Sequence, residues 1–126
     1  KKNVIRRSGE NISAVEVESV LNQHPAVKAS AVAATPDALR GDEVLACIVA
    51  RHAVQEAERA QLAASIVEHA LGQLAYYKAP GYVAFVDELP LTLSQKIQRG
   101  EMRKLAQDMP QQVHCIDTRA LKKRQG

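Results

Sequence analysis

Val27-Lys-Ala-Ser-Ala-Val-Ala-Ala34 and Glu43-Val-Leu-Ala-Cys-Ile-Val-Ala50 stand on either side of a turn-forming stretch, Thr35-Pro36-Asp37 to Gly41-Asp42. Both flanks are rich in small and β-branched residues, which suit a pleated surface, so the simplest structure is two strands joined by a loop. Upstream, Ser13 and Glu16 have capping-box spacing, and Ile12 and Val17 have the spacing of a hydrophobic staple. A helix is therefore expected to begin at Ser13, with Val17, Val20 and Leu21 as its apolar stripe and His24-Pro25 as its end. Downstream, Leu62, Ile66, Val67, Ala70, Leu71 and Leu74 recur at helical steps between Gln55 and Leu74, with Gly72 weakening the last turn. Tyr82-Val-Ala-Phe-Val86 reads as a third strand closed by Asp87-Glu88-Leu89-Pro90, and Gln98 to Gln107 has helix-forming composition. With Val4-Ile5 in a hairpin-like lead, the order predicts a small compact α+β domain, a short sheet with helices packed on it plus an N-terminal hairpin. Residues 1–109 are expected to form this domain. Residues 110–126, polar and basic apart from Val113 and Ile116, are expected to form a partly mobile tail.

At 126 residues the chain is long enough for one domain with its own core. Seventeen Lys and Arg against 14 Asp and Glu give a net charge of +3, well short of a nucleic-acid-binding extreme. An RNA-binding module would want stacking aromatics or a Gly-x-x-Gly clamp, and one Phe, three Tyr, no Trp and no such clamp argue against it. No apolar run approaches the roughly 20 residues of a membrane helix, and Cys47 and Cys115 read as unpaired thiols of a reducing, cytoplasmic compartment. His24, His52, His69 and His114 lack metal-ligand spacing and read as surface or boundary residues, so no metal site is expected. The chain opens on charged residues leading into Val4-Ile5, as a piece of something longer would.

Three segments carry a resemblance. The first is Lys1-Lys2-Asn3-Val4-Ile5-Arg6-Arg7-Ser8-Gly9-Glu10-Asn11-Ile12-Ser13; the second runs from His24-Pro25 through Pro36-Asp37 to Gly41-Asp42-Glu43. The third comprises Tyr77-Lys78-Ala79-Pro80, then Phe85-Val86-Asp87-Glu88-Leu89-Pro90, then Thr92-Leu93-Ser94-Gln95-Lys96-Ile97-Gln98-Arg99. In this order and at these distances, over roughly residues 1 to 105, they resemble the C-terminal domain of the adenylate-forming superfamily. The Gly-Glu-Asn-Ile core at residues 9–12 favours the acyl-CoA ligase branch over peptide-synthetase adenylation domains.

The resemblance implies a mobile lid domain, inactive alone, that works with a larger N-terminal adenylating domain on a carboxylate, ATP (with Mg) and coenzyme A. None of these would be held tightly by the lid by itself. It implies Lys96 as the catalytic lysine of adenylation, Lys2 as the hinge, and Ser8, Gly9 and Glu10 as the loop lining the CoA channel. On its own Lys96 is a solvated lysine in a polar turn; Thr92 and Arg99, at the spacing of the family's Thr-x-x-Gly-Lys-x-x-Arg motif, support the catalytic reading. Arg6 and Arg7 could meet CoA phosphates, but they read first as a solvated strand face, as Lys122-Lys123-Arg124 read as a solvated basic cluster. This chain departs from the motif at Gln95, where the family has glycine: if the family turn uses a positive φ there, Gln95 either carries strain that glycine avoids or forces another conformation on the turn that places Lys96. The rival reading is a free-standing interaction or regulatory module of the same fold.

Overall fold

The computed structural model describes residues 4–123. β1 (Val4–Arg7) and β2 (Glu10–Ser13) form the N-terminal hairpin, followed by α1 (Ala14–Leu21). Ser13 caps α1: its Oγ accepts the Glu16 N–H at 3.2 Å, satisfying a donor that the first helical turn leaves open. The other half of the capping box is not made, because the Glu16 carboxylate reaches Lys78 Nζ at 3.0 Å instead. Ile12 and Val17, the staple pair, are both fully buried in one cluster.

The two flanks of the opening stretch form an antiparallel pair, β3 (Val27–Asp37) and β4 (Gly41–Ala50). The ladder takes in Thr35-Pro36-Asp37 as well, so the connection shrinks to residues 38–40, with Gly41 at φ +88°. The Asp37 carboxylate accepts the N–H groups of Leu39 and Arg40 at 2.9 and 3.0 Å, the local bonding that lets Asp close a short loop. α2 (Arg59–Leu71), entered through a single 3-10 turn at Glu56–Glu58, then crosses over to β5 (Tyr82–Phe85), which pairs parallel with β4. α3 (Arg99–Asp108) follows.

β4 is the central strand, and it explains why Val44 to Ala50 is continuously apolar. Val44, Ala46 and Ile48 face a core shared with α1 and α2, whereas Leu45 and Cys47 face a second core with Met102, Ala106 and Met109 from α3 and its exit. A strand covered on both faces has no polar side to alternate with.

The stretch from Pro110, read as a tail apart from residues 1–109, returns to the sheet. β6 (Cys115–Asp117) pairs antiparallel with β5, and Thr118 closes the junction by donating its N–H to Gly81 O and its hydroxyl to Pro80 O. Three strand residues in a polar context give too weak a pattern to read without their partner. His24, expected near the surface, is buried: its Nδ1 accepts the Ala26 N–H and its Nε2 lies 2.9 Å from Ser65 Oγ, tying the end of α1 to α2. Burial and the neighbouring His69 hold its pKa below the ordinary value. Both cysteines are free, and burial pushes each thiol up to about 12. Among the described residues no helix is long and apolar enough to cross a membrane.

Candidate functional site

Lys96 sits in a tight hairpin between β5 and α3. Leu91 and Ile97 bridge antiparallel, the Thr92 N–H donates to Lys96 O at 2.7 Å, and the Gln95 N–H donates to Thr92 O at 2.9 Å. This is a three-residue loop whose last residue, Gln95, takes φ +69°, the position where such loops favour glycine. The conditional reading of the sequence therefore holds: the turn does use the left-handed region. Thr92 has a defined task, because its Oγ1 accepts the Lys96 N–H at 3.1 Å and fixes the backbone that carries the lysine. The Lys96 side chain is exposed and, among the described residues, forms no ion pair.

Relief of the left-handed strain gains about 1–2 kcal/mol per residue, while glycine's extra unfolded-state freedom costs about 0.5–1 kcal/mol. Gln95→Gly is therefore expected to raise stability by up to about 1.5 kcal/mol, and Gln95→Val to lower it, since a β-branched residue fits φ > 0 worst. Denaturant unfolding of both variants checks this order, and equal stabilities would contradict it.

Arg99 is the anchor of the same segment. Its two terminal nitrogens donate to the two Glu18 oxygens at 2.7 and 2.8 Å, a bidentate pair that binds planar partners strongly. Glu18 also accepts the Val32 N–H at 2.7 Å. One carboxylate thus joins α1, β3 and the start of α3, three residues from Lys96. Sequence reasoning missed Glu18, yet a signal was available. It falls among Ala14, Val17 and Leu21 on the buried stripe of α1, where a carboxylate requires a buried cation.

Ser8 and Gly9 form the two-residue turn of the β1–β2 hairpin, at φ +52° and +83°, the pair of positive values that matches strand twist in such turns. The Ser8 N–H donates to Arg40 O at 2.9 Å. A Cβ added to Gly9 would meet nothing within 4 Å, so glycine here answers a backbone requirement and the space above it is open. Glu10 is exposed on β2. Lys2 lies outside the described residues. The structure gathers Thr92, Lys96 and Arg99 into one unit but does not join that unit to Ser8–Glu10. Val4 and Ile5, at the start of β1, line one cleft with Arg99 and Met102, whereas Ser8–Gly9 is at the strand's far end.

Two basic residues read as solvated are buried. Arg7, 5% exposed, presents Nε to both Glu43 oxygens at 3.0 and 3.1 Å. Lys122, 7% exposed, donates to Glu43 Oε2 at 2.6 Å and to Tyr77 O at 2.9 Å. Burial is the main reason its pKa falls to about 8, with the Glu43 charge opposing the fall. Arg6 is exposed as expected, its Nη1 donating to Asn11 Oδ1 at 3.2 Å.

A model of the AMP-binding enzyme C-terminal domain matches residues 16–96, well over half of the chain. The chain belongs to that family. Lys96 is the last residue of the match; Ser8–Glu10 and Arg99 fall outside it. Human mitochondrial acyl-coenzyme A synthetase ACSM3 is 44% identical over 101 residues, covering 80% of the chain and 17% of that protein. The crystal structure of Brucella canis acyl-CoA synthetase superposes with a TM-score of 0.75 at 37% identity, over 86% of the chain and 20% of that protein. o-Succinylbenzoate CoA synthetase from Bacillus subtilis, in complex with the acyl-adenylate intermediate OSB-AMP, gives a TM-score of 0.68 at 32% identity, over 81% of the chain and 20% of that protein. The chain therefore spans about a fifth of the length of the proteins it matches.

Proposed function

We propose that this chain is the lid domain of an ATP-dependent acyl-CoA synthetase, residues 1–109 forming most of the lid and the stretch after residue 109 adding its edge strand β6, and that a larger N-terminal domain supplies the nucleotide and acyl pockets. The observation that carries the reading is the Lys96 hairpin: a fixed backbone, an anchored base at Arg99–Glu18, and an exposed ammonium that forms no ion pair among the described residues. A buttressed cation with no ion pair among the described residues suits an anion supplied from outside the chain.

In the first step a carboxylate oxygen attacks the α-phosphorus of ATP and pyrophosphate leaves. Both reactants are anions, and a compact ammonium beside the phosphate stabilises the charge that develops there. In the second step the CoA sulfur attacks the acyl carbon and AMP leaves. The open space over Gly9 suits passage of the narrow pantetheine arm, so Ser8, Gly9 and Glu10 are assigned to the CoA channel and Lys96 to adenylation. Because the two features are separated along β1, bringing each in turn to one reaction centre calls for rotation of the domain as a body, with Lys2 as the proposed pivot.

The acyl-adenylate bound by the Bacillus subtilis relative supports the reaction class. The test is acyl-dependent pyrophosphate exchange. The chain purified alone is expected to show none, and the full-length polypeptide to show exchange that depends on a carboxylic acid. Exchange by the chain alone, or none by the full-length polypeptide with any acid of a broad panel, would overturn the reading.

A further inference from the structure

Glu43 is fully buried and holds an unusual number of partners: Arg7 Nε on both oxygens, Lys122 Nζ at 2.6 Å and the Val44 N–H at 2.8 Å. Space for it is reserved by Gly81, where an added Cβ would lie 2.4 Å from Glu43 Cδ. Two cations and one anion under the surface are an expensive way to hold strands together, since a well-packed apolar trio does as well or better. What the triad supplies is placement. Arg7 is the residue immediately before the Ser8–Gly9 turn, and its backbone is also paired with Gly41 at the first position of β4.

We infer that Glu43, braced by Lys122 from the C-terminal stretch, is a positioning residue that sets the Ser8–Gly9 turn through Arg7. Arg7 ends β1, so any slack in its side-chain anchor passes directly into the two residues that follow. Lys122 limits that slack, because its ammonium holds Glu43 Oε2 at 2.6 Å and is itself tied to Tyr77 O. The stretch after residue 109 thereby acts on the N-terminal turn through three side chains. The inference rests on the assignment of Ser8–Glu10 to the CoA channel.

The test uses the full-length enzyme and its two half-reactions: acyl-dependent pyrophosphate exchange, and transfer to CoA from supplied acyl-adenylate. Lys122→Met removes the surplus cation and leaves a neutral Arg7–Glu43 pair, so the variant is expected to fold; Glu43→Gln, which keeps the shape, is the second variant. Gly9→Ala, which strains the turn itself at φ +83°, is the reference. All three are expected to slow CoA transfer by about tenfold, within the range that small misplacements of reacting groups produce, with exchange held within about twofold. If Gly9→Ala slows transfer selectively while folded Lys122→Met and Glu43→Gln do not, or slow both half-reactions alike, the positioning role is refuted. If Gly9→Ala itself spares transfer, the channel assignment falls and the inference falls with it.

Discussion

Lys96→Ala in the full-length enzyme is expected to lower adenylate formation by about 10²–10³-fold, the loss seen when a single preorganised charge-stabilising group is removed from a transition state. Thioester formation from supplied acyl-adenylate should change by less than about threefold, because the lysine is assigned to the first step only. The structure makes this a clean substitution. Lys96 is exposed and the turn is held by the Thr92 hydroxyl and by backbone bonds, so truncation of the side chain leaves the hairpin intact and the melting temperature near that of the wild type. Single-turnover measurement of each half-reaction decides the matter. Equal loss in both, or loss in neither, would remove Lys96 from its assigned role.

Glu43→Ala is expected to have the largest effect on stability. It strands the Arg7 guanidinium and the Lys122 ammonium without a counter-charge in a site where both are over nine-tenths buried. Breaking a buried ion pair by deleting one partner costs about 3–5 kcal/mol, a large share of the roughly 5–15 kcal/mol that holds an ordinary domain together. Gly81→Ala should also destabilise, since Glu43 is pinned by its partners and cannot withdraw from the new Cβ. The two changes compete for one volume, so the double variant should be more stable than the sum of the single losses predicts. Denaturant unfolding of the cycle measures this, and strict additivity would show that Gly81 and Glu43 act separately.

Local signals gave the α+β class and the element order, because they rest on periodicity and on turn chemistry that a few neighbouring residues contain. Ser13 and Ile12 announced α1, and Glu43–Ala50 announced a strand. Within Thr92–Arg99, the positive φ raised by the replacement of glycine is found at Gln95. Other features depend on residues far apart. Arg7, Glu43 and Lys122 are separated by 36 and 79 positions, and each looks ordinary by itself: a basic residue in a basic lead, an acid after a turn, a lysine in a polar tail. Burial creates the relation between them. β6 was hidden for a similar reason, since three residues acquire strand character from β5 and carry little of their own.

The return of the chain to β5 also bears on where this polypeptide can be shortened. Trimming at residue 109 would look harmless from composition, yet it would strip the outer edge of Tyr82–Ala84 and leave its amide and carbonyl groups unmatched. A bare edge of that kind recruits other chains, so the trimmed protein would trade a brace for self-association.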